Sequence, residues 1–144
     1  FFDFEHQESG STSAFEEIIQ TIQNEFPAEK IYDEKELQAQ LTIFLKTKYP
    51  DSEVEREISN NDGGFVDILM DDKYAFELKV PRSRTELRNL RGQIEEYQED
   101  YSNLCVVIFE NEDYDISEDI EKYVNIYHEK YDVPSVVLHG RKRK

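Results

Sequence analysis

The sequence predicts an α/β domain in which a central mixed β-sheet is flanked by helices. Three observations predict it. Apolar spacing alternates between the helical period and a two-residue period, in the order helix, helix, three strands, helix, strand, helix, strand. Three short runs between Glu53 and Val80 are separated only by turn chemistry, Asn60-Asn61-Asp62-Gly63 and Asp71-Asp72-Lys73. Leu104–Phe109 is apolar throughout, the pattern of a strand covered on both faces. The 144 residues suffice for one domain with one core.

Each element has a local reason. The stretch before Ala14, rich in Ser, Thr and Gly, reads as a flexible leader, and Ser13 with Glu16 resembles a capping box. A helix over about 14–26 then carries Phe15, Ile18, Ile19, Ile22 and Phe26 on one stripe and stops at Pro27. A second helix over about 33–48 has Leu37, Leu41, Phe44 and Leu45 as its apolar face. Strands follow near 53–59, 64–71 and 74–80, the third ended by Pro81. Ser83 with Glu86 forms another capping box, opening a helix to about Tyr101 with the stripe Leu87, Leu90, Ile94, Tyr97 and Tyr101. Leu104–Phe109 is the fourth strand, Ser117–Tyr131 the last helix, and Val133–Leu138 a final strand around Pro134, placed at a sheet edge. Residues 1–30 read as a leader with an amphipathic helix, and 31–144 as the main domain with a basic tail.

Composition limits the functional class. No apolar run approaches membrane-spanning length, and no signal-peptide pattern is present. The first residue is Phe1 and not Met, which reads as a trimmed or internal segment. The single cysteine, Cys105, lies in the run LCVVIF and reads as a buried structural thiol. It permits no intramolecular disulfide and fits a reducing, cytoplasmic setting. The net charge of −16 argues against a polyanionic partner for the surface as a whole. The positive charge is concentrated, however. Lys79, Arg82, Arg84, Arg88 and Arg91 stand against the lone acid Glu86, and Arg141-Lys142-Arg143-Lys144 closes the chain. The tail reads as a solvated basic end, whereas the 79–91 island directly follows the chemistry described next.

The segment GFVDILMDDKYAFELK, residues 64–79, carries that chemistry. In a strand, residues i and i+2 face the same way, so Glu77 and Lys79 project together and Leu78 to the other side. Asp67 is a lone acid in an apolar strand, costly to bury unless it is paired or holds a metal. Hydrolysis of a phosphodiester needs oxygen ligands for Mg²⁺, a group to orient water, and positive charge for the transition state. Asp67 and Glu77 fit the first role, with the backbone carbonyl of Leu78 between them as a third oxygen. Lys79 fits the second or third. The alternative is a surface hairpin whose charges only solvate it, since Glu-x-Lys alone recurs by chance. At 100° per residue, Arg84, Arg88 and Arg91 fall on one flank of the following helix, and Gln93 and Tyr97 on the other. Glu34 projects to the middle of the apolar face of the 33–48 helix, as a further site acid would, although a first-turn acid also suits the helix dipole. Glu55 and Glu57 read as a solvent face. No Gly-rich phosphate loop occurs, and His6, His128 and His139 lack ligand spacing.

These residues resemble the PD-(D/E)XK, restriction-endonuclease-like nuclease superfamily over roughly residues 31–140. The likeness rests on Asp67 in FVDIL, on Glu77-Leu78-Lys79, on an acid-bearing helix before the hairpin and on a helix with Gln-x-x-x-Tyr after it. Gln93-Ile94-Glu95-Glu96-Tyr97 is similar to the motif of the RecB-like and lambda-exonuclease-like branches. Val66 departs from the Pro that many members carry before the Asp. The resemblance implies a restriction-endonuclease-like core, with Mg²⁺ (or Mn²⁺) held by Asp67 and Glu77, Lys79 assisting the water, and Glu34 as the helical acid. It further implies that Gln93 and Tyr97 position a substrate strand. The expected function is metal-dependent cleavage of DNA, with Arg82, Arg84, Arg88 and Arg91 aiding nucleic-acid binding. The rival expectation is a catalytically inactive member of the same fold whose acidic surface meets a protein partner. A homodimer or a partner domain is a further expectation for a domain of this size, with the first helix as contact surface or as lid on the core.

Overall fold

The computed structural model describes residues 5–59 and 65–140, with side chains over 14–57 and 66–140. The Asn60–Gly63 turn, Gly64 and the Arg141–Lys144 tail lie outside the described residues. The elements are α1 (Glu5–Glu25), α2 (Glu34–Lys48), β1 (Val54–Ser59), β2 (Phe65–Met70), β3 (Tyr74–Lys79), α3 (Arg84–Asp100), β4 (Asn103–Glu110), α4 (Ser117–Tyr131) and β5 (Ser135–His139). The five strands form one sheet in chain order. β1, β2 and β3 run as an antiparallel meander, and β3, β4 and β5 are parallel, joined through α3 and α4. The expected α/β fold with a mixed sheet and flanking helices is therefore present.

Helices cover both faces. On one, Ile18 and Ile22 of α1, Phe26 just after it, and Leu37, Leu41 and Leu45 of α2 pack against Ile68, Met70, Phe76, Leu78 and Val107. On the other, Leu87, Leu90, Ile94 and Tyr97 of α3 and Ile120, Tyr123 and Tyr127 of α4 pack against Leu69, Ala75, Val106 and Ile108. β4, buried throughout its centre, has both layers over it, which explains its unbroken apolar run. The stripe of α1 is consumed as a lid on this core. Cys105 is fully buried, and burial pushes its thiol pKa up.

Some local expectations change. α1 starts at Glu5, so no boundary falls at Ala14 and Ser13 lies inside the helix. The run of small polar residues lowers helix propensity without forbidding the helix. Ser83 occupies the N-cap of α3, but its hydroxyl makes no capping bond. Neither half of the expected capping box forms: Glu86 Oε1 instead accepts from the amide of Arg82, one residue before the cap, at 3.3 Å. Pro134 precedes β5, and its carbonyl accepts from the Val106 amide at 3.0 Å. A residue without an N–H serves there as acceptor only. α2 is capped by Asp33, whose Oδ1 accepts from the Glu36 amide at 2.9 Å.

The β2–β3 turn fixes the register of the strands that carry the site. Asp71 and Asp72 both take positive φ, 55° and 57°, and the Lys73 amide donates to the Met70 carbonyl at 3.2 Å, as in a type I′ turn. Asp71 also ties the turn to the start of β1. Its carboxylate accepts from Ser52 Oγ at 2.8 Å and from the Glu53 amide at 2.9 Å. Asp71→Ala removes both bonds and leaves a left-handed backbone on a residue that tolerates it less well. It should destabilise the domain by about 2 kcal/mol, measured by urea denaturation. A loss of under a few tenths of a kcal/mol would show that the turn holds its register without them.

Candidate metal and catalytic cleft

The cleft forms where the β2–β3 ladder gives out. Pairing runs from Met70 opposite Tyr74 to Ile68 opposite Phe76 and stops there. The next residues outward are Asp67 and Glu77. On the β1 side the register passes from Arg56–Ile68 to Ile58–Val66, skipping Glu57, whose φ of 53° is left-handed. The sheet is thus irregular on both sides of Asp67, where strain is commonly stored at functional sites.

Side chains replace the missing ladder. Asp67 Oδ2 accepts from the Leu78 amide at 2.8 Å. Glu34 Oε2, from the first turn of α2, accepts from the Val80 amide at 2.8 Å. Gln38 Nε2, one turn further along α2, donates to the Asp67 carbonyl at 2.8 Å. Leu78 packs with the α1/α2 core, so Glu77 and Lys79 face the α3 side together, as strand alternation requires.

A cleft of about 390 Å³ results, lined by Glu34, Asp67, Glu77, Leu78, Lys79, Gln93, Glu96 and Tyr97. It gathers the expected acids, the lysine and the Gln/Tyr pair in one place. Glu77 is 4% exposed, and its Oε1 is buried without a hydrogen-bond partner. Burial, then the neighbouring Asp67 carboxylate, hold the Glu77 carboxyl well above the ordinary range, partly countered by Lys79. Burial also raises Asp67, against the pull of the Leu78 amide. Burial raises the Tyr97 phenol, as do Glu77, Asp67 and Glu96. The Asp67 and Glu77 carboxyls interact directly, with Glu77 favouring the protonated form.

Among the described residues no three His, Cys, Asp or Glu side chains form a group that could hold a metal ion. The side-chain donors at this point are the two carboxylates of Asp67 and Glu77, and Mg²⁺ is ordinarily bound through one or two carboxylates with waters completing its shell. The orphaned Glu77 oxygen is the kind of buried acceptor that a hydrated cation satisfies. Oxygen donors of this kind are the ones a hard divalent cation takes.

The arginine island divides differently. Arg84 hydrogen-bonds Tyr123 and lies near Asp119. Arg91 Nε donates to the Tyr131 hydroxyl at 3.4 Å, and that hydroxyl donates to Glu95 at 2.9 Å. Both thus serve the α3–α4 contact on the edge of α3 away from the cleft. Arg82 and Arg88 are exposed, and neither lines the cleft. Two residues that sequence reasoning passed over belong to the site region. Glu96 shares the Gln93 edge of α3 at i+3, and Gln38 lies one turn from Glu34 on the inward face of α2. A polar residue on the apolar stripe of Leu37, Leu41 and Leu45 was the available signal for Gln38.

No protein-family model, curated protein or solved structure matches this chain. Among the described residues, no helix is long and apolar enough to cross a membrane.

The raised Glu77 value has a thermodynamic consequence. The folded state binds this proton more tightly than the unfolded chain, so the stability contributed by the protonated group is complete below about pH 4. It is lost as pH rises toward the folded value. In metal-free buffer, Glu77→Gln should therefore melt close to wild type at low pH and increasingly above it as pH rises. Thermal melts from acid to mildly alkaline pH check this, and a margin that stays constant with pH would refute it.

Proposed function

We propose that the protein is a Mg²⁺-dependent deoxyribonuclease of the PD-(D/E)XK, restriction-endonuclease-like type. The observation that carries this reading is the meeting of Asp67, Glu77 and Lys79 with Glu34, Gln93 and Tyr97 around one cleft. Asp67, Glu77 and the Leu78 carbonyl are the groups that would hold the cation. Once bound, Mg²⁺ supplies Lewis-acid polarisation of the phosphate and a more acidic water.

The chain's own residues do the rest. Lys79 projects beside Glu77 and offers an ammonium N–H to the attacking water or to the charge that grows on phosphate. Asp67 is held in place by the Leu78 amide. Glu34 braces the end of β3 through the Val80 amide. Gln93 and Tyr97 present an amide and a phenol to the sugar-phosphate strand, contacts that position a substrate without reading its sequence. Arg82 and Arg88, both exposed, are available to phosphates further along that strand. The second reading, a non-catalytic module on the same fold, is favoured by the net charge of −16 and by four carboxylates around a single lysine.

The deciding experiment is cleavage of labelled single- and double-stranded DNA with Mg²⁺ or Mn²⁺ against EDTA. Wild type should cut only with metal. Glu77→Ala, Asp67→Asn and Lys79→Ala should each lose at least about a hundredfold in rate. No cutting by wild type, together with no calorimetric signal for metal binding, would sink the nuclease reading in favour of the binding module.

A further inference from the structure

We propose that Gln38 is a positioning residue for Asp67, acting through the Asp67 main-chain carbonyl and itself oriented by Arg56; the inference rests on the nuclease reading of the cleft. Gln38 is 3% exposed, on the α2 face that carries Leu37, Leu41 and Leu45. A buried amide needs both its donor and its acceptor satisfied. Gln38 meets this across two strands. Nε2 donates to the Asp67 carbonyl at 2.8 Å, and Oε1 accepts from Arg56 Nη2 at 3.0 Å.

The location gives these bonds their meaning. Asp67 lies beyond the last β2–β3 pair, and on the β1 side the pairing skips it and the left-handed Glu57 before resuming at Val66. Its peptide is thus no longer fixed by ladder bonds alone, and Gln38 supplies a donor there. Arg56 sets which end of the Gln38 amide faces Asp67, because a guanidinium can only donate. The amide NH₂ is then turned toward the carbonyl.

Glu34 and Gln38 stand at i and i+4, on one face of α2. Through them, a single rigid helix grips the chain just beyond β3 at Val80 and β2 at Asp67. The separation between the Asp67 and Glu77 carboxylates is set between those two points. Groups that hold ligating carboxylates in this way typically matter by 10- to 100-fold in metal affinity or activity.

Gln38→Met keeps the volume and removes both bonds. Gln40→Met is the matched control, since Gln40 on the same helix makes a similar pair of bonds to the Glu29 backbone, away from the cleft. Two measurements apply to each variant. The first is amide exchange at Leu78, whose N–H is held by the Asp67 carboxylate, compared with Val107 in the sheet centre, in metal-free protein. The second is kcat, KM for DNA and the Mg²⁺ concentration giving half-maximal rate.

Gln38→Met should speed Leu78 exchange roughly tenfold, the factor carried by one net hydrogen bond, with Val107 unchanged. It should lower kcat about 10- to 100-fold and raise the Mg²⁺ requirement, with KM for DNA unchanged within about twofold. Arg56→Met, at an exposed residue whose loss spares the core, should move the same readouts in the same direction by less. Gln38→Met and Arg56→Met both matching Gln40→Met in Leu78 exchange and Mg²⁺ dependence would overturn the proposal. If wild type neither cuts DNA nor binds metal, the nuclease reading falls alone, and Leu78 exchange still decides whether Gln38 positions Asp67.

Discussion

The organisation of this domain turns on one amide. Leu78 N–H sits where β2 has stopped pairing with β3, and it is satisfied by the carboxylate of Asp67. A buried N–H left without an acceptor costs about 1–3 kcal/mol, so the fold itself holds Asp67 in its position. The same logic runs through Glu34 and the Val80 amide, and through Gln38 and the Asp67 carbonyl. Polar side chains that a ladder would have made redundant are recruited because the ladder ends. Opening the sheet and assembling the cleft are therefore one structural event.

Glu77 is the residue left over from that arrangement. Its neighbours take the available amides, and one of its oxygens is buried with no donor. Burial and the nearby Asp67 push it toward the protonated form, and Lys79 pulls the other way. An acid kept in such surroundings is a cost to the metal-free fold. In the proposed nuclease a divalent cation lifts that cost, so metal affinity and metal-free instability share one origin.

Much of this was legible in the chain because strand and helix periods are strong local signals. Glu77 and Lys79 had to share a face opposite Leu78, and Gln93 and Tyr97 had to share a helix flank opposite Arg84, Arg88 and Arg91. What could not be read locally was which partner each side chain would meet. Arg84 and Arg91 are engaged with Tyr123 and Tyr131, residues roughly 40 positions away whose own faces are fixed only when α3 meets α4. Gln38 and Glu96 gain meaning only from the end of a ladder and the docking of a helix. The start of α1 was misplaced because a run of Ser, Thr and Gly weakens a helix without forbidding it.

On the proposed reading, the position of α3 bears on how an acidic chain would meet a polyanionic substrate. One edge of this helix is spent on α4 through Arg84 and Arg91, and the other, with Gln93, Glu96 and Tyr97, lines the cleft. The cations of the 79–91 island therefore do not neutralise the site acids as a group, and Lys79 stands there among four carboxylates. Distant acids matter little, since exposed charges are screened beyond about 8 Å at physiological salt. The repulsion a phosphate would meet is local, and in the proposed nuclease a local divalent cation would answer it. On the proposed reading, the cation that activates water also admits the substrate. A chain of net charge −16 can then act on DNA only where, and when, its cleft is loaded.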